Sequence, residues 1–134
     1  MVSEASTSFK SRSPRTVMVV EDHKNSLMVL QKMLELLGIE VTPAENGREA
    51  VDIFARRSDF DLILMDLKMP VMDGYSAMVE IKKINPEMKI IAETAYALSG
   101  DDRKILSAGF DDYLPKPITL ESLENIVKRN LPPK

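Results

Sequence analysis

The feature that most constrains this chain is an alternation, repeated five times, between a short apolar run and a stretch of helical period. Residues 16–21 (TVMVVE), 61–66 (DLILMD) and 89–93 (KIIAE) are continuous apolar runs, the pattern of strands buried on both faces. Residues 39–44 and 112–115 are weaker strands. Between them Leu27, Leu30, Leu34 and Leu37 fall at helical spacing and stop at Gly38. Residues 46–57 place Ala50, Ile53 and Phe54 on one helical face. Residues 75–84 show Met78 and Ile81 and end at Asn85-Pro86. A short helix capped by Ser99 or Asp101 runs to Ala108 and stops at Gly109. A last helix starts at Thr119, with Ser122 or Glu121 nearby, and shows Leu120, Leu123, Ile126 and Val127.

Strands joined by crossover helices run parallel, and a parallel sheet is covered by helices on both faces. Proline cannot donate to a ladder, so strands that carry it belong at edges. Pro43 sends the second strand to one edge and Pro115 sends the fifth to the other. The first, third and fourth strands fill the centre. Right-handed crossovers then predict a doubly wound α/β fold, (βα)5, with strand order 2-1-3-4-5. Its switch point lies between the first and third strands, and ligands bind there at the carboxyl ends of the strands.

At 134 residues the chain suits one domain. Residues 16–131 form the expected folded unit. The Ser-rich residues 1–15 read as a flexible leader or linker, and residues 132–134 as a tail. There is no cysteine, which excludes disulfides, thiolate metal sites and cysteine nucleophiles. With 18 basic and 21 acidic residues the net charge is -3, so no basic excess points to nucleic acid. No apolar run approaches the roughly 20 residues that span a bilayer, and no secretory signal is present. No membrane contact is expected, and the cytoplasm is the default location.

The predicted switch point gathers acids. The first strand ends in Glu21-Asp22 and the third in Asp66. Three carboxylates brought together repel one another and call for a cation. Without a His or Cys cluster the hard ion Mg2+ is the natural choice. The fourth strand leads to Thr94-Ala95 and the fifth to Lys116-Pro117. A hydroxyl and a compact ammonium beside such a cluster suit an incoming phosphoryl group.

With these residues in place the chain resembles a two-component response-regulator receiver domain, a CheY-like, flavodoxin-like fold. The resemblance rests on Glu21-Asp22, on Asp66 in LILMDLKMPVMDGY, on Thr94-Ala95 and on Lys116-Pro117 in DDYLPKPI. The stretches VVEDHKNSLMVLQKMLELLG and AENGREAVDIF are similar to receivers of hybrid sensor histidine kinases. The resemblance implies that Asp66 is the phosphoacceptor, taking phosphoryl from a phosphohistidine on a histidine kinase or histidine phosphotransfer domain. It implies Mg2+ held by Asp66, Asp22, Glu21 through water, and the backbone carbonyl of Lys68. It implies that Lys116, on a cis Lys116-Pro117 bond, neutralises phosphoryl oxygens. Thr94 would close on the phosphoryl group while Tyr113 turns inward, changing the surface of the fourth helix, fifth strand and fifth helix. That surface is also the expected homodimer face. The role is a signalling phosphoacceptor rather than an enzyme that turns over an external substrate.

Several positions depart from the family pattern. Glu21 stands where Asp is commoner, and Ile118 where many relatives carry an aromatic. Lys68 and Tyr96 sit two beyond Asp66 and two beyond Thr94, where the family tunes dephosphorylation; bulky Tyr96 predicts a slowly lost phosphoryl group. His23, the only histidine, reads as a solvated helix-start residue rather than a ligand. A flavodoxin-like FMN carrier is disfavoured because Glu21-Asp22 would repel the FMN phosphate. A phosphatase with an aspartate nucleophile is disfavoured because Lys68 replaces its second Asp. A receiver acting without phosphorylation is disfavoured because every chemical position is filled.

Overall fold

The structure is a computed structural model, and it describes residues 15–95 and 101–131. The expectations for the leader before Arg15, for Tyr96 and Ser99, and for residues 132–134 lie outside the described residues. Five strands alternate with five helices: β1 (Thr16–Val20), α1 (Lys24–Leu36), β2 (Glu40–Ala44), α2 (Gly47–Arg56), β3 (Leu62–Asp66), α3 (Gly74–Ile84), β4 (Ile90–Thr94), α4 (Asp101–Ala108), β5 (Asp112–Pro115) and α5 (Leu120–Asn130). All ladders are parallel, and the order is β2-β1-β3-β4-β5. Both prolines lie in edge strands, Pro43 in β2 and Pro115 in β5, as the missing N–H requires.

Alternation along the strands splits the core into two layers. Met18, Val20, Ile63, Met65, Ile90 and Ala92 face α2, α3 and α4, where Phe54, Ala77, Ile81 and Ile105 close over them. Val17, Val19, Leu62, Leu64, Ile91 and Leu114 face α1 and α5, under Leu30, Leu34, Leu123 and Ile126. Truncating one such wholly buried side chain to Ala would cost about 2–5 kcal/mol.

Local chemistry sets the helix ends. The Asn46 side chain accepts from Glu49 N at 2.8 Å, and Glu49 reaches back to Glu45 N at 2.6 Å. Thr119 and Ser122 cap reciprocally, each side chain accepting from the other's backbone N–H at 3.0 Å. Asp73 Oδ1 accepts from Ser76 N at 2.8 Å. It therefore starts α3 at Gly74, one residue before the start that the apolar spacing predicts. Gly38, at φ 80, closes α1 with its N–H on the Glu35 carbonyl.

One expectation needs correction. The fourth strand was read as wholly apolar, yet it carries Glu93, which is completely buried. β4 runs from Ile90 through Glu93 to Thr94.

Candidate functional site

The parity of the strands decides which side chains meet. Asp66 pairs with Glu93 across the β3–β4 ladder, and paired residues of parallel strands point to the same face. Both continue the parity of Leu64 and Ile91, so they leave the sheet on the side of α1 and α5. Glu21 follows Val20 of the opposite face, and its N–H bonds to the Ala44 carbonyl at 3.0 Å. Lys116 lies two residues beyond Leu114, and its N–H bonds to the Thr94 carbonyl at 2.8 Å. The Lys116-Pro117 peptide is cis. Four ionisable side chains are thus delivered to one face at the carboxyl edge of the sheet.

There the Lys116 Nζ lies 3.5 Å from Asp66 Oδ1 and 3.8 Å from Glu21 Oε1. Both acids are buried, and Lys116 is about one-third exposed at 32%. Asp66, Lys68, Thr94 and Lys116 line one cleft of about 690 Å3 with Glu93 and His23. Thr94 and Tyr113 belong to the other parity: Tyr113 pairs with Ala92 and packs against the core under α2–α4. Tyr113 does not line the cleft; it borders a smaller depression with Ser122 and Arg129.

Beyond Asp66 the chain turns sharply. Lys68 N approaches Asp66 Oδ1 at 3.4 Å, and Gly74 N bonds to the Leu67 carbonyl at 3.0 Å. Between them Met72 N closes on the Pro70 carbonyl at 2.7 Å, with Val71 at φ 70. A β-branched residue in that region is strained. Gly74 is required, because a Cβ there would run into the Asp66 carbonyl oxygen.

Burial, then the Asp66 carboxylate, push the Glu21 carboxyl above its ordinary value, and the His23 N–H and Lys116 offset part of this. Burial alone would lower the Lys116 ammonium, but Asp66, Glu21 and Glu93 outweigh it and hold it above the usual lysine range. Glu93 is pushed up to about 8 by burial and by Glu21 and Asp66, with Lys116 opposing.

The donor set fits a hard divalent cation. Glu21 Oε1 and Asp22 Oδ1 are buried without a hydrogen-bond partner, an orphaned state that a cation relieves. Oxygens of Glu21 and Asp22 also lie within 4.8 Å of a ring nitrogen of His23. His23 is exposed, precedes α1, and gives no side-chain cap; its N–H bonds to Glu21 Oε2 at 3.2 Å. The residue that sequence reasoning missed is Glu93. The signal was available: it shares the parity of Ile91, two residues earlier on the same buried face.

A family of known proteins has this arrangement: residues 17–128 match the response regulator receiver domain. The chain belongs to that family. The receiver domain of a Pseudomonas aeruginosa PAO1 sensor histidine kinase, with magnesium coordinated in its active site cleft, superposes with a TM-score of 0.80 at 41% identity. That likeness covers 88% of this chain and 98% of the other. Two-component response regulator 24 of Arabidopsis thaliana is 35% identical over 119 residues, 89% of this chain and 86% of its own length. The sensor protein GacS of Pseudomonas syringae pv. syringae is 40% identical over 122 residues. This covers 87% of the receiver chain but 13% of that sensor. The chain thus spans most of one relative and a small part of the other. These relatives give no support to the flavin-carrier or phosphatase readings. Among the described residues of the receiver domain, no helix is long and apolar enough to cross a membrane.

Proposed function

We propose that this receiver domain accepts a phosphoryl group on Asp66 from the phosphohistidine of a histidine kinase or a histidine phosphotransfer domain. The observation that carries the reading is the convergence of Asp66 and Glu21 on Lys116 at 3.5 and 3.8 Å. A carboxylate oxygen of Asp66 attacks phosphorus, the P–N bond breaks, and the imidazole leaves with the electron pair. Lys116, already aimed at Asp66, neutralises charge on the phosphoryl oxygens, the main task in such transfers.

Mg2+ would be held by Asp66, Asp22, Glu21 through water, and the Lys68 carbonyl. When bound it supplies positive charge opposite the phosphoryl oxygens. The orphaned Glu21 and Asp22 oxygens support that set.

The output is a switch between two states close in energy. Thr94 closes on the phosphoryl group and Tyr113 turns inward behind it. Their shared parity on the α2–α4 face of the sheet supports this coupling. The changed surface is α4, β5 and α5, which we take as the homodimer face as well. The domain acts as a phosphoacceptor rather than as a turnover enzyme, in the cytoplasm, through protein contacts and not through nucleic acid or membrane. Incubation with Mg2+ and acetyl phosphate, read by intact mass, tests this. One added phosphoryl group is expected, none in Asp66→Ala and none with EDTA. Labelled Asp66→Ala overturns the assignment.

A further inference from the structure

Two cavities meet behind the phosphoacceptor. The cleft of about 690 Å3 is bounded by Asp66 and Thr94, and a second cavity of about 330 Å3 lies under α1, bounded by Leu30, Met33 and Ile118. Glu93 and Lys116 are the two residues common to both linings. They form the wall between the cavities.

Glu93 is an anomaly in that wall. It is wholly buried, and neither carboxyl oxygen has a hydrogen-bond partner among the described residues. A buried polar group left so is costly and calls for an explanation. Lys116 supplies one. Its ammonium rests on Asp66 and Glu21, the same carboxylates assigned above to the divalent ion. An ion that takes up those oxygens competes with the ammonium for them. The remaining acid that raises the Lys116 ammonium is Glu93, which lines both cavities together with it. Protonated or ionised, a carboxyl offers an ammonium an acceptor oxygen.

We propose that Glu93 is a positioning residue for Lys116, receiving its ammonium at the wall between the two cavities once the divalent ion engages Asp66 and Glu21, and keeping it aimed at the phosphoryl position. The proposal rests on the phosphoacceptor reading given above. It makes the acceptor oxygen of Glu93, rather than its bulk, the feature that matters.

Glu93→Leu keeps the volume and deletes the oxygen; Glu93→Gln keeps an acceptor oxygen. With saturating Mg2+ and acetyl phosphate, Glu93→Leu is expected to lower the maximal labelling rate about tenfold, part of the loss that removing a whole donor brings. Glu93→Gln returns the rate to within about threefold of the parent chain, because its oxygen can still accept. Beryllofluoride binding with Mg2+, followed by fluorine NMR, reads the same geometry without turnover and is expected to weaken about tenfold in Glu93→Leu alone. Glu93→Met is the second apolar variant, and thermal melts establish that each variant is folded. Parent-like labelling and beryllofluoride binding in both apolar variants overturn the proposal and leave the phosphoacceptor reading intact. Equal loss in Glu93→Gln and Glu93→Leu also overturns it, since the acceptor oxygen then does nothing. Failure of the parent chain to label, or labelling of Asp66→Ala, overturns the phosphoacceptor reading and this proposal with it.

Discussion

Asp66 and Glu93 are partners across the β3–β4 ladder, so two carboxyl side chains leave the sheet side by side on the same face. Neither can be treated in isolation. Asp66 has Lys116 at 3.5 Å, whereas Glu93 has no hydrogen-bond partner among the described residues.

Buried Glu93 makes stability depend on pH. Glu93 titrates near 4.5 when unfolded and about 8 when folded, so the native state holds the proton longer. For an acid with a raised pKa, stability is fully retained below the unfolded value and declines as pH rises toward the folded one. At neutral pH the linkage amounts to about 3 kcal/mol of lost stability. Glu93→Leu is therefore expected to be more stable than the parent in EDTA, with the advantage growing from about pH 5 to about pH 8. Urea melts across that range measure it. An advantage that does not change with pH would mean that Glu93 does not hold a proton in the fold.

Lys116 runs in the same direction with pH, but at neutral pH it stabilises rather than destabilises. Its pKa is raised by Asp66, Glu21 and Glu93 against the effect of burial, so its contribution is present below the unfolded value of 10.5 and lost as pH climbs past the folded one. Lys116→Met leaves Asp66 and Glu21 uncompensated. The ammonium is one-third exposed, which screens the loss, so about 1–2 kcal/mol is expected in EDTA. Saturating Mg2+ should recover that stability by binding the native state, while labelling by acetyl phosphate falls about 100-fold or more. A variant that labels at the parent rate would remove Lys116 from the chemistry.

Much of this was legible from a few residues. Pro43 and Pro115 were enough to place β2 and β5 at the edges, because a missing N–H is a property of the residue itself. Glu21, Asp22 and Lys116 follow strands and Asp66 ends one, so topology alone brought them to one edge. What escaped depends on where an element stops. Glu93 sits where an apolar run turns polar: its parity with Ile91 marks the buried face, but only if β4 continues that far. The extra residue at the start of α3 escaped for a similar reason: Gly74 has no side chain to carry a pattern, and its role is close approach to the Asp66 carbonyl.

Away from the site, β5 is tied to α5 by one carboxylate. Asp112 accepts from Arg129 Nε at 2.9 Å, Arg129 Nη2 at 3.2 Å and Asn130 Nδ2 at 2.9 Å. Burial would raise this carboxyl, but the bonds from Arg129, Asn130 and the Tyr113 N–H outweigh it and hold it below the usual range. A depressed acid stabilises above its unfolded pKa of 3.8 and loses that contribution as pH falls through the folded value. Asp112→Asn is expected to cost about 1–3 kcal/mol at neutral pH and to converge with the parent in acid. Thermal melts in a descending pH series check this, and parallel curves at every pH would sink it.

Gly74 provides the sharpest separation between stability and site. A methyl group there would strike the Asp66 carbonyl oxygen and come within 2.9 Å of Leu67 Cα. Backbone cannot rotate away as a side chain can, so the loop from Asp66 to Gly74 must shift. Gly74→Ala is expected to cost about 1–3 kcal/mol. The shift also displaces the Lys68 carbonyl, so Mg2+ binding by calorimetry and labelling by acetyl phosphate should both weaken. Gly38→Ala is the control. Gly38 adopts φ 80 with nothing within 4 Å of the added carbon, so it pays a backbone penalty of about 1–2 kcal/mol at the far end of α1. It should melt earlier than the parent yet bind Mg2+ and label normally. Equal Mg2+ affinity in the two variants would show that the loop after Asp66 absorbs the methyl group without moving its carbonyls.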